Sequence, residues 1–104
     1  MKYVIGLFFT VMTATALANT PVGPVSISYL YQLDNNSTEF EFSTGSYHNC
    51  GSDYYRVKSP SDAVANRKFT LVLEAFKLSK HIIFSDTETC EGDRRIVAWV
   101  RLVN

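Results

Sequence analysis

Few residues in this chain are equipped for chemistry, and their spacing excludes most reactions. The two cysteines, Cys50 and Cys90, form no Cys-x-x-Cys pair, and His48 and His81 do not join them at zinc-ligand spacing. Neither a thiol oxidoreductase nor a metal site is expected. A histidine acid/base pair would require His48 and His81 to converge. The first lies in a polar loop beside Tyr47 and Asn49, and the second opens an apolar run. Glu39 and Glu41 share one strand face, where an exposed hairpin edge explains them better than a glycosidase carboxylate pair. The sequence has no phosphate-cradling glycine loop, no Gly-x-Ser-x-Gly and no His-Glu-x-x-His. The expectation is a non-enzymatic chain with no catalytic residue, no metal and no cofactor. Asn36-Ser37-Thr38 matches a glycosylation sequon, but its residues read as a turn.

What remains is recognition. Residues 46–49 and 52–55 mix aromatic rings with short polar side chains. Such mixtures suit sugars, because a ring covers the C–H face while polar groups hold the hydroxyls. Tyr47, Ser52, Asp53 and Tyr54 are therefore the candidate ligand-binding residues. Tyr54 and Tyr55 alternate, which sends one of them to the core, and Trp99 also reads as core.

Charge and targeting signals narrow the setting. Ten Lys+Arg balance ten Asp+Glu over 104 residues. A non-specific nucleic-acid binder needs surplus positive charge, so nucleic acid is not an expected partner. Lys2 precedes a short apolar stretch over residues 4–12, and Ala16-Leu17-Ala18 is the small-x-small pattern that signal peptidase cuts. Residues 1–18 are thus expected to be a signal peptide, removed before Asn19. The stretch is short for a bilayer core of roughly 30 Å, and no membrane insertion is expected. The expected location is outside the cytoplasm, periplasmic or secreted. There a Cys50–Cys90 disulfide is the expected state. Closing a loop of about 40 residues is worth about 4 kcal/mol in the chain-entropy account.

The elements that must position these residues follow from periodicity. Residues 19–24 hold Pro21 and Pro24 and read as an extended lead-in. Residues 25–33 alternate as one strand, with Val25, Ile27, Tyr29, Tyr31 and Leu33 on a single face. Residues 39–42 and 54–58 are the next two strands, and Glu39 and Glu41 can face Arg56 and Lys58 across an antiparallel pair. Ser61 is the expected N-cap of a helix over residues 62–80. Ala65, Phe69, Val72, Leu73 and Phe76 line its core face, with Val64, Leu71, Ala75 and Leu78 on a flanking stripe. That stripe is either buried within the domain or an oligomer interface. Residues 81–85 and 95–103 complete five strands around a turn over residues 86–93, the last strand apolar enough to be central. Residues 19–104 thus form one mostly β domain in the order β-β-β-α-β-β. This is the layout of a small OB-like barrel, and an open antiparallel α+β sheet with one covering helix is the alternative.

Residues 69–84, ending Ala-Phe-Lys-Leu-Ser-Lys-His-Ile-Ile-Phe, followed by Cys90-Glu-Gly-Asp and a closing strand, resemble a group of small secreted bacterial proteins. Their layout is similar to that of the pentameric glycan-binding B subunits of subtilase-cytotoxin-like and pertussis-like toxins. The resemblance covers residues 50–102 and departs where Ser79 stands in place of a frequent glycine. It implies a binding module for a glycan or protein ligand, assembled as a homo-oligomeric ring, a pentamer. The alternative is a monomeric periplasmic inhibitor or accessory protein that binds another protein.

Overall fold

The computed structural model describes residues 20–33 and 35–103. The expected signal peptide lies outside the described residues. Their elements are β1 (Thr20–Val25), β2 (Tyr29–Gln32), β3 (Glu39–Ser43), β4 (Tyr54–Lys58), α1 (Asp62–Lys77), β5 (His81–Glu91) and β6 (Arg94–Val103). The strands form one mixed sheet in the order β1-β5-β6-β4-β3-β2, with β4 parallel to β6 and all other neighbours antiparallel. The domain is mostly β with a single helix among the described residues. It takes the open-sheet alternative rather than the closed barrel, because edge strands β1 and β2 share no ladder.

Those two edges are nevertheless consecutive in the chain. Val25 pairs with Ile82 on β5, and the Ser28 N–H donates to the Ser43 carbonyl on β3 at 2.7 Å. Three residues span on the order of 11 Å at most, so the junction holds the edges together at one end and coils the sheet. β1 itself replaces the expected lead-in. Proline lacks an N–H and fits only where a ladder bond is not needed, as on an edge strand. Gly23, at φ 126°, sits so close to β5 that a Cβ there would meet the Ile82 carbonyl oxygen at 2.5 Å.

The break at residues 26–28 also resets the alternation. An uninterrupted strand would turn Tyr29 and Tyr31 to the same face as Ile27. Instead Ile27 is buried and Leu30 packs against the core, leaving the two tyrosines on the opposite face.

Helix α1 begins as expected. Ser61 caps it by accepting the Val64 N–H at 3.3 Å, and Asp62 lies in the first turn. It ends three residues earlier than expected, because Ser79 turns left-handed at φ 54°. The Lys80 N–H then reaches the Ala75 carbonyl at 2.8 Å and the Ser79 N–H reaches that of Phe76, which is a Schellman closure. Val72 and Ala75 pack into one core cluster with Phe40, Phe42, Val57, Ile82, Phe84 and Val97 of the sheet, and Ala65 on the same helix is also buried. Phe69 meets Phe40 edge-on at 5.2 Å.

The segment expected to turn at residue 86 continues as β5 to Glu91. Its ladder is irregular between Phe84 and Asp86 and again between Asp86 and Cys90. Side chains bridge these gaps. The buried Ser85 hydroxyl accepts the Ala98 and Trp99 N–H groups at 3.1 and 2.9 Å, and Thr87 donates to the Ile96 carbonyl at 2.9 Å.

Candidate ligand-binding site

The loop from residue 44 to 53 carries most of the candidate residues, and it is pinned from several sides. Cys50 and Cys90 are disulfide-bonded, tying the loop to the end of β5. His48 Nδ1 accepts the Cys50 N–H at 3.1 Å, which leaves Nε2 to donate to the Tyr54 carbonyl at 2.6 Å. Its ring stands edge-on to Tyr55 at 4.9 Å. Beneath the loop, the buried Arg95 pairs with Asp86 at 2.6 Å and donates to Asn49, with Cys50 Sγ 3.6 Å away.

Ser52 belongs to this scaffold. It is buried, donates to the Asp93 carbonyl at 2.6 Å and accepts the Tyr54 N–H at 3.1 Å. Its hydroxyl is spent on holding the loop to the β5–β6 turn. Tyr47, by contrast, is 79% exposed.

The sheet face opposite α1 is a charged and aromatic network set by strand register. Tyr31, Glu41 and Arg56 are direct neighbours across β2, β3 and β4, as are Tyr29, Ser43 and Tyr54. Glu39 stands opposite Lys58, as the alternation implies. Glu41 is no exposed edge carboxylate. β3 lies between β2 and β4, and Glu41 is fully buried. It takes Arg56 at 2.7 and 2.8 Å, Arg94 at 3.1 Å and the Tyr31 hydroxyl. Burial pulls both guanidiniums down. Hydrogen bonds override it, from Glu41 and Glu91 for Arg56 and from Tyr31 and Asp93 for Arg94, and both remain above their ordinary value. Burial and the Glu41 hydrogen bond push the Tyr31 phenol up. Lys58 and Glu91 form a pair that raises the lysine and lowers the carboxyl.

Tyr54 sits at the border of this network. Arg94 lies over its ring at 4.2 Å, and the Tyr29 and Tyr31 rings meet it edge-on at 5.6 and 6.2 Å. A ring so enclosed positions its neighbours rather than offering a free stacking face. Asp53 accepts the Ser43 hydroxyl at 2.9 Å and is half-buried. Tyr29, 37% exposed, completes the group, and its hydrogen bond to Tyr54 pushes its phenol up to about 12. The site thus joins Asp53 and Tyr54 to Tyr29, with Tyr47 on the adjoining loop. Tyr29 was hidden in the sequence by the strand break, although its spacing from Tyr31 signalled that the two share a face. No group of three or more metal-ligating side chains stands together among the described residues.

The flanking helix stripe does not form one surface. Ala75 is wholly buried in the core of its own chain and Leu71 packs against that core. Val64 is half-buried, and Leu78 is exposed. Phe76, expected to point inward, is 43% exposed instead. The helix therefore seats on a line through Ala65, Val72 and Ala75, rotated from the face defined by its larger residues. Beside its C-terminus lies a cleft of about 230 Å³ lined by Ser26, Ile27, Ala75, Phe76, Ser79 and Lys80.

Comparisons with protein-family models, with curated proteins and with solved structures return no match.

Proposed function

We propose that this chain is an exported, non-enzymatic binding module whose ligand is a glycan, held at the end of the sheet where Tyr29, Asp53 and Tyr54 gather, with the exposed Tyr47 on the adjoining loop. The observation that carries this reading is the contrast across one face. Most of its charged groups are spent on one another around Glu41, while Tyr29 remains partly open beside Asp53 and Tyr47, on the adjoining loop, is largely exposed. Aromatic surface next to short polar groups is the chemistry of sugar recognition. The disulfide, His48 and Ser52 pre-order the loop, which lowers the entropy lost when a ligand binds. The test is an immobilised-glycan screen with the oxidised protein beside Tyr47→Ala. A bound glycan whose signal falls with Tyr47→Ala supports the reading, and no binding to any glycan refutes it.

A ring of subunits, as in the toxin B subunits, is the finer reading that the resemblance suggests. A monomeric state, as in the inhibitor or accessory-protein alternative, draws support from Val72 and Ala75 of α1, which are buried against its own sheet. Light scattering behind a sizing column is expected to give the mass of one protomer across concentrations. A mass near five protomers would refute the monomer.

A further inference from the structure

The charges on the face opposite α1 are unevenly spent. Arg56 is held by Glu41 and Glu91, Lys58 by Glu39 and Glu91, and Arg94 by Glu41 and Asp93. Asp53 is not paired in this way. Among the described residues no cation lies within ion-pair distance of it, and its side-chain hydrogen bond is the one from Ser43 to Oδ2. Ser43 is itself fully buried and also accepts the Gly45 N–H, so its hydroxyl has nothing left to offer a ligand. A carboxylate has about four lone-pair positions, and most of those on Asp53 face no protein donor. Beside it the Tyr29 phenol keeps its proton to about pH 12 and presents a partly exposed ring.

We infer that Asp53, with the ring and hydroxyl of Tyr29 beside it, is the specificity-determining subsite of this face, and that it takes a neutral sugar through a vicinal diol and refuses acidic sugars. The inference rests on the carbohydrate reading above. A vicinal diol supplies two O–H donors to one carboxylate, and the sugar's C–H face covers the tyrosine ring. An acidic sugar would instead set a second negative charge against Asp53, with the nearby cations already paired. Such like-charge opposition is how a site rejects a near-isosteric competitor.

The experiment measures binding of the full-length oxidised protein to immobilised neutral oligosaccharides (galactosyl, glucosyl and mannosyl termini) and to sialylated and uronate-terminated ones. Wild type is expected to bind a member of the neutral set and none of the acidic set. Asp53→Asn keeps the side-chain shape, and it is expected to weaken the neutral ligand by about tenfold or more. Because Asp53 also holds Ser43, Tyr29→Ala serves as a second variant that leaves that bond in place, with an expected loss of similar size. Preference for acidic sugars, or neutral binding unchanged in both variants, overturns the inference while leaving the carbohydrate reading standing. Binding to neither set refutes the carbohydrate reading itself.

Discussion

Glu41 offers the sharpest test of how the charged face is held together. Its side chain is fully buried, yet it is surrounded by donors: Arg56 twice, Arg94 once and the Tyr31 hydroxyl. Glu41→Gln keeps the volume and removes the charge. One amide oxygen still accepts, but the new NH2 group is turned toward guanidinium donors and has nothing to donate to. Hydrogen bonds to charged groups are each worth about 1.5–3 kcal/mol, and breaking a buried pair by removing one partner costs about 3–5 kcal/mol. Two features lower the figure here. The Arg56 and Arg94 side chains are 23% and 22% exposed, so water can reach both, and Arg56 keeps Glu91 at 3.1 Å. The expected loss is therefore about 3 kcal/mol. For a domain of this size that corresponds to a thermal midpoint lower by roughly 12–24 °C. Urea titration of the oxidised protein reads the loss directly, with an unchanged slope showing that the unfolded state is not altered. A loss below about 1 kcal/mol, the value of an exposed ion pair, would refute the claim that this buried carboxylate organises the face.

Three further outcomes follow from the same geometry. Ser79→Gly relieves a left-handed residue at the helix C-terminus, and it is expected to stabilise by about 0.5–1 kcal/mol in urea titration; a destabilised variant would contradict the Schellman assignment. The Glu91 carboxyl is held below its ordinary value of 4.5, first by the Lys58 hydrogen bond. A lowered carboxyl contributes stability that is present above 4.5 and lost as pH falls through the folded value. The thermal midpoint of wild type should then fall more steeply on acidification than that of Glu91→Gln, and parallel curves would remove the pair from the account. Replacing Cys50 and Cys90 together by alanine opens a loop with a sequence separation of 40, and it should cost about 4 kcal/mol in the same assay. A cost near zero would mean that Arg95 and His48 hold the loop unaided.

Much of this architecture can be read from the residues, and the failures have specific physical causes. The alternation of residues 39–42 and 54–58 sets Glu39 and Glu41 across from Arg56 and Lys58, and the structure pairs Glu39 with Lys58 and Glu41 with Arg56, since no bulge interrupts the period of two. Ser61 marks the helix start because a short hydroxyl side chain has a defined partner three residues on. The errors fall where backbone departs from its period. Residues 26–28 interrupt the apparent strand over residues 25–33, leaving Val25 at the end of β1 and residues 29–32 as β2, and reverse the facing of Tyr29 and Tyr31. Residues 86–90 resemble a turn, because the threonines and acids there replace ladder bonds with side-chain bonds instead of filling a core. The burial of Glu41 was illegible for a different reason. Its strand reads as an outer hairpin arm, and its place between two others depends on β2, β3 and β4 lying side by side.

The same break that misleads the eye creates the candidate site. Had residues 25–33 run as one regular strand, Tyr29 and Tyr31 would have entered the core beside Ile27. The irregular junction instead places Tyr31 against Glu41 and Tyr29 against Ser43 and Tyr54. Tyr31 is thereby consumed by the buried carboxylate. Tyr29, two residues nearer the junction, stands where the ion pairs end and Asp53 begins. The proposed recognition site thus lies at the margin of a self-satisfied network, where the Asp53 carboxylate stands near the Tyr29 ring with no ion-pair partner among the described residues. Restoring the alternation by deleting one residue from 26–28 would rotate both tyrosines inward, and it should abolish glycan binding and destabilise the Glu41 cluster together. Loss of only one of the two would show that site and network are built independently.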